Sequence, residues 1–225
     1  MNDVFLIEKL IETVYSIYPV GIGQQQRPEG RKRYAQLIAQ KIDNIIEGKE
    51  TQWSLFLDSI QESFNNKIDD LGYYQSPSYN LRIELKNNLE EGINYRRFLV
   101  LDISLLCRFY TIHFEDVYTY NNYQKGLLKP EFKILFLDSM DRDTELAILF
   151  DTINSKVQEH FRTYQYIHHK LLFQQKIKAA ILYTQGEELL NRSYSLYHFL
   201  FNTTIDMNCN NIYLNDCPPL TSVFG

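Results

Sequence analysis

The side chains in this sequence that could do chemistry are few and scattered. His160, His168 and His169 invite a metal site. Neighbouring residues on a helix point about 100° apart, so His168 and His169 cannot readily share one ion. Neither an HExxH motif nor the Cys/His spacing of a zinc site occurs, so no metal and no cofactor are expected. Cys107 and His113 would make a nucleophile and base only if the chain turned a tight corner at 107–108. Six residues along a strand otherwise separate them by about 20 Å. Cys107 reads as a buried, inert thiol. Asp102 and Ser104 share one face of a strand by its period of two. Asp102 is either a buried functional carboxylate or part of a wet face, with Arg82 or Arg108 as its neutralising neighbour. No GxSxG motif surrounds any serine.

Charge clusters supply the other candidates. The run RPEGRKR places Arg27, Arg31, Lys32 and Arg33 at the start of a helix. Cations there oppose the helix dipole, and free N–H groups attract anions, so these four residues are a candidate anion site. Acidic pairs recur beside the central β-rich region at Asp69-Asp70, Glu90-Glu91 and Glu115-Asp116. In a meander, Glu90, Glu91, Glu115 and Asp116 would gather at one end of the sheet. With Tyr118 and Tyr120 they form the expected contact surface for a protein partner.

The elements that must position these groups follow from periodicity. PSYNLRIELK alternates apolar Tyr79, Leu81, Ile83 and Leu85 with polar Asn80, Arg82, Glu84 and Lys86, the pattern of a strand with one wet face. Strands are expected over 78–87, 96–106, 109–119 and 133–137, with a corner near Leu106–Arg108. Helices are expected over 2–18, 31–46, 52–66 (Thr51 as N-cap), from Ser139 to about Phe161, as one or two pieces within 166–183, and over 194–203. Gly48 ends the second of these. The second helix's inward stripe reads as Tyr34, Leu37, Ile38, Ile42 and Ile45. The fold class is therefore α+β, a central antiparallel sheet of about four strands (roughly 78–137) packed against N-terminal and C-terminal helices. One domain spans 1–225, with an irregular tail from about 206.

Bulk properties narrow the field. The chain has 225 residues, of which 44% are hydrophobic, which is enough for a real core. Its 17 Tyr and 14 Phe favour core edges and interfaces. The net charge of −5 argues against general nucleic-acid binding. No signal peptide or membrane span is legible. The three cysteines are too few and too scattered for a disulfide framework, so a reducing, cytoplasmic compartment is expected.

The run IDDLGYYQSPSYNLRIEL, followed by FLVLDISLLCRFYTI, resembles bacterial immunity proteins encoded beside polymorphic or contact-delivered toxins. The shared features are a Pro-Ser-Tyr strand start, an ISLL strand, FYTI, a later amphipathic helix and a terminal YHFLF-like helix, over about residues 53–203. The resemblance implies a cytoplasmic, non-enzymatic protein that covers a cognate toxin's active site, with no catalytic residues to carry over. The alternative is an enzyme of unrecognised type that uses Asp102, His113 or the Arg27–Arg33 cluster on a small anionic substrate. A concave site with convergent polar groups would favour the second reading.

Overall fold

The computed structural model describes residues 3–23, 26–49, 51–70, 76–90, 92–120, 131–136, 144–183, 193–201 and 212–214. Three helices open the chain: α1 (Asp3–Ile17), α2 (Pro28–Ile46) and α3 (Gln52–Ser63). Five strands follow: β1 (Ile68–Asp70), β2 (Ser78–Glu90), β3 (Ile93–Ser104), β4 (Phe109–Tyr120) and β5 (Glu131–Phe136). Then come α4 (Thr144–His160), β6 (Gln165–Tyr166), α5 (His169–Gln174), β7 (Lys176–Lys178), β8 (Ser193–Ser195), α6 (Leu196–Leu200) and β9 (Ile212–Leu214). Among the described residues no helix is long and apolar enough to cross a membrane.

The α+β class stands. The main sheet runs β1-β2-β3-β4-β5-β9, with β6 added beside β4, so it has seven strands where about four were expected. The four expected strands are its antiparallel centre. The additions are short: β1 pairs with β2, while β6 and β9 join in parallel. β9 lies in the tail expected to be irregular. The corner after β3 exists at 105–108 and separates β3 from β4. The segment 166–183 departs most from the expectation of helix. Only α5 is helical there, and Lys176–Lys178 pairs with Ser193–Ser195 as a hairpin apart from the main sheet.

Both faces of the sheet are covered where β2, β3 and β4 lie side by side. On one face Leu81, Leu101 and Ile112 line up across the strands, as do Ile83, Leu99 and Phe114. These side chains are buried with Trp53, Phe56 and Ile60 of α3 and Ile153 and Val157 of α4. The opposite face, expected to be wet at Asn80 and left open at Asp102, also carries Thr111 and His113. It is buried as well. A second core covers its 104–111 end, formed by α1, α2, α5 and α6 around Tyr18, Phe109, Tyr197 and Phe199.

α2 approaches α1 closely at one point. A Cβ on Gly30 would collide with the carbonyl oxygen of Ile17 and lie 2.8 Å from the Ile17 carbonyl carbon. Helix backbones meet there with no room for a methyl group. Gly30→Ala therefore costs about 1–3 kcal/mol despite the higher helix propensity of Ala. Thermal unfolding reads this directly, and a stabilised Gly30→Ala protein would contradict the packing.

Candidate functional site

Among the described residues, the carboxylates expected at the sheet's end do not gather there. Glu115 and Asp116 lie opposite Phe98 and Arg97 along β4, whereas Glu90 pairs with Ile93 at the hairpin end. The two carboxylates point to opposite faces and are nearly buried. Glu115 accepts from Arg82 Nη2 at 2.6 Å. Asp116 takes a two-pronged bond from Arg97 at 2.7 and 2.9 Å and a third from the Tyr95 hydroxyl at 3.0 Å. Arg82 also stacks over Phe98, 3.6 Å from the ring centroid. Tyr118 is buried beside Tyr95. Glu90 is exposed. Glu91 and the side chain of Tyr120 lie outside the described residues.

The basic cluster stays apart from these groups. Arg31, Lys32 and Arg33 are exposed on the first turns of α2, and Arg27 is the residue preceding the helix, with no side-chain cap. Arg27 and Arg31 act on Tyr183, whose hydroxyl burial pushes up to about 12 while the two guanidinium groups pull it down.

Asp102 and Ser104 turn out to be a clasp for α6. Asp102 is fully buried and accepts from the Tyr197 hydroxyl at 2.7 Å and from the Asn80 amide. Burial raises its carboxyl above the usual range, against the pull of His113, Tyr197 and Asn80. The last carbonyls of a helix lack intrahelical donors. In α6 and its cap, hydroxyls supply them: Tyr18 to Phe199 O at 2.8 Å, Ser104 to Leu200 O at 2.8 Å, and Ser78 to Phe201 O. His113 lies inside this seam, 3.8 Å from Glu115, with its ring 5.5 Å from that of His169. Cys107 sits at the corner, its thiol pushed up to about 11 by burial, so it is protonated at neutral pH and a poor nucleophile. Among the described residues no three His, Cys, Asp or Glu side chains converge as a metal site.

A concave site lies elsewhere, between α2 and α3. Gly48 ends α2 in the left-handed region, at φ 59°. Thr51 then starts α3 with a capping box, its hydroxyl accepting from Ser54 N at 3.1 Å while Ser54 Oγ accepts from Thr51 N at 2.8 Å. This turn sets the two helices apart and leaves a cleft of about 410 Å³, walled by Ile45, Trp53 and Leu57 and reached by Lys41, Asp58, Asp70 and Tyr79.

Lys41 is the residue that sequence reading missed. It falls three residues after Ile38 and four before Ile45, on the inward stripe of α2, and is only 2% exposed. Its ammonium donates to Ser78 O at 2.7 Å and Ser76 O at 3.4 Å, and sits 5.7 Å from the centroid of the Tyr79 ring. Tyr79 stacks on Trp53 at 4.8 Å, and Trp53 stacks on Phe56 at 5.3 Å. The cation thus caps a three-ring stack. Trp53 Nε1 donates to Asp70 at 3.3 Å. Burial lowers the Lys41 pKa to about 8, with the Asp70 charge opposing that shift. The available signal was a lysine where helical spacing asks for an apolar side chain.

No family model, curated protein or solved structure matches this chain.

Proposed function

We propose that this chain is a protein-binding inhibitor of the immunity type, which neutralises a cognate bacterial toxin in the cytoplasm by covering the toxin's active site. The cleft between α2 and α3 carries this reading. It is a concave site with apolar walls at Ile45, Trp53 and Leu57, and exposed isoleucines stand at it or beside it. Ile45 lines it at 38% exposure, and Ile46 follows at 74%. Apolar anchors that fill pockets dominate most protein interfaces. Further support comes from a carboxylate. Asp102, which the enzyme reading would use, is engaged internally by Tyr197 and Asn80. The contact surface accordingly moves from the sheet's acidic end to the N-terminal helices.

The alternative, an enzyme acting on a small anionic substrate, draws on Lys41 in the same cleft. Asp58 and Asp70 beside it weigh against an anion.

Expressing the product of the adjacent reading frame, alone and together with this chain, tests the proposal. Growth arrest relieved by co-expression, with a stoichiometric complex on purification, is the expected result. Ile45→Asp and Ile46→Asp together should weaken that complex about tenfold or more while leaving the unfolding midpoint nearly unchanged, because both side chains are exposed. An adjacent product that neither harms cells nor binds this chain would remove the immunity reading. A complex indifferent to both substitutions would move the interface elsewhere.

A further inference from the structure

We infer that two copies of this chain pair edge to edge through the outer half of β2, joining their sheets into one. The inference is independent of the α2–α3 cleft, which meets the other end of β2 at Tyr79. β3 accompanies β2 along its whole length, from Ser78 to Glu90. On its other side β2 has only β1, which pairs with Leu81, Arg82 and Ile83. Glu84 closes that contact, its N–H donating to Lys67 O at 3.0 Å and its carbonyl accepting from the Asn66 amide at 3.0 Å. Among the described residues no strand lies beside 85–90 on that side. Six residues of strand run about 20 Å. Their outward N–H and C=O groups are a template for another strand.

The side chains on this edge select a second copy as the occupant. Lys86, Asn88 and Glu90 share one face by the period of two, and Asn87 and Leu89 share the other. All but Asn88 are exposed, Leu89 at 67%. In an antiparallel pairing about a two-fold axis at Asn88, Lys86 of each copy lies opposite Glu90 of the other. Two opposite-charge pairs form on that face. On the other face the two Leu89 side chains become diagonal neighbours and cover each other. A lysine alone on an edge keeps other sheets away. Glu90, four residues on, turns that guard into half of a self-matching pair. The register also clears β1: Ile83 of one copy falls opposite position 93 of the other, beyond the end of its β2. A joint of this size lies at the weak, concentration-dependent end of protein interfaces.

Sedimentation velocity on the full chain, in reducing buffer and over about a hundredfold range of concentration, tests this. A monomer–dimer equilibrium is the expected result, with hydrogen exchange at 85–90 slowing as the dimer fills. Lys86→Glu and Glu90→Lys, each alone, set like charges opposite each other and should weaken association about tenfold or more. The two together restore opposite charges in the same register and should bring association back to within about threefold of wild type. Circular dichroism of each variant should match wild type, since both side chains are exposed. A chain that stays monomeric throughout overturns the inference and leaves the edge to a strand of another protein. A dimer that the single variants leave intact, or that the double variant fails to restore, overturns it as well.

Discussion

Asp102→Leu should lower the stability of this protein by about 2–6 kcal/mol, because two buried donors lose their acceptor at about 1–3 kcal/mol each. The donors are the Tyr197 hydroxyl and the Asn80 side-chain amide, both nearly inaccessible to solvent. Domains of ordinary size have about 5–15 kcal/mol in total, so the change is a large part of the whole. Removing a buried carboxylate also removes a desolvation penalty, which acts in the opposite direction. The donors left behind decide the sign, since neither can reach water without α6 lifting from the sheet. Asp102→Asn keeps a carbonyl for Tyr197 and should fall between Leu and wild type. Adding Tyr197→Phe to Asp102→Leu removes one stranded donor, so the double variant should lose less than the sum of the singles. Urea unfolding of wild type, the three single variants and the double variant measures all of this. An Asp102→Leu protein within 0.5 kcal/mol of wild type, an approximate bound for inconsequential substitutions, would mean the clasp contributes little.

Mild acid should unfold the protein through His169. The ring is fully buried, and neither nitrogen has a hydrogen-bond partner among the described residues. Burial first, then the neighbouring His113 and His168, lowers its pKa to about 2. In the unfolded chain a histidine takes up its proton near 6.5. Between those limits the unfolded state holds one proton more than the folded state. Stability is therefore fully present above pH 6.5 and falls as the pH drops, by about a factor of ten in the folded-to-unfolded ratio per unit. Asp102 works with the opposite sign. Its raised carboxyl pKa makes the folded state the better proton acceptor just above the ordinary carboxylate range, which blunts the lower end of the slope. The comparison that isolates His169 is with His169→Leu. That variant should be at least as stable as wild type at pH 7.5, having lost two unsatisfied nitrogens, and its stability should depend on pH less steeply by one proton between pH 6 and 4. Parallel profiles for the two proteins would show that His169 is protonated in the folded state or accommodated some other way.

Much of the framework was legible because local rules and tertiary packing agree. The alternation from Tyr79 to Leu85 marks β2, Thr51 opens α3 with its capping box, Gly48 closes α2, and the corner at 105–108 separates β3 from β4. The second sheet face was misread for a physical reason. A period of two sorts residues by type, and Asn80, Asp102, Thr111 and His113 are types that ordinarily face water. What buries Asp102 is Tyr197, 95 residues further on, which no local pattern can reveal. Glu115 and Asp116 were misplaced in the same way, since their arginine partners come from β2 and β3. At Lys176–Lys178 tertiary pairing with Ser193–Ser195 overrides a helical apolar rhythm. Lys41 carried a signal, a lysine at an apolar helical position, but its partners Ser78 O and the Tyr79 ring lie in β2, beyond the reach of any local pattern.

The donors that finish α6 also set an order of events during synthesis. Tyr18, Ser78 and Ser104 wait for carbonyls 181, 123 and 96 residues further along the chain. Contacts of such span close late and slowly, since the entropy of bringing distant segments together must be met first. Until residue 201 is made, the nascent sheet carries Asp102 and His113 with one side open to water. A ribosome-bound chain cut short of α6 should therefore remain protease-sensitive and dependent on chaperones, and α6 acts as a latch on the sheet.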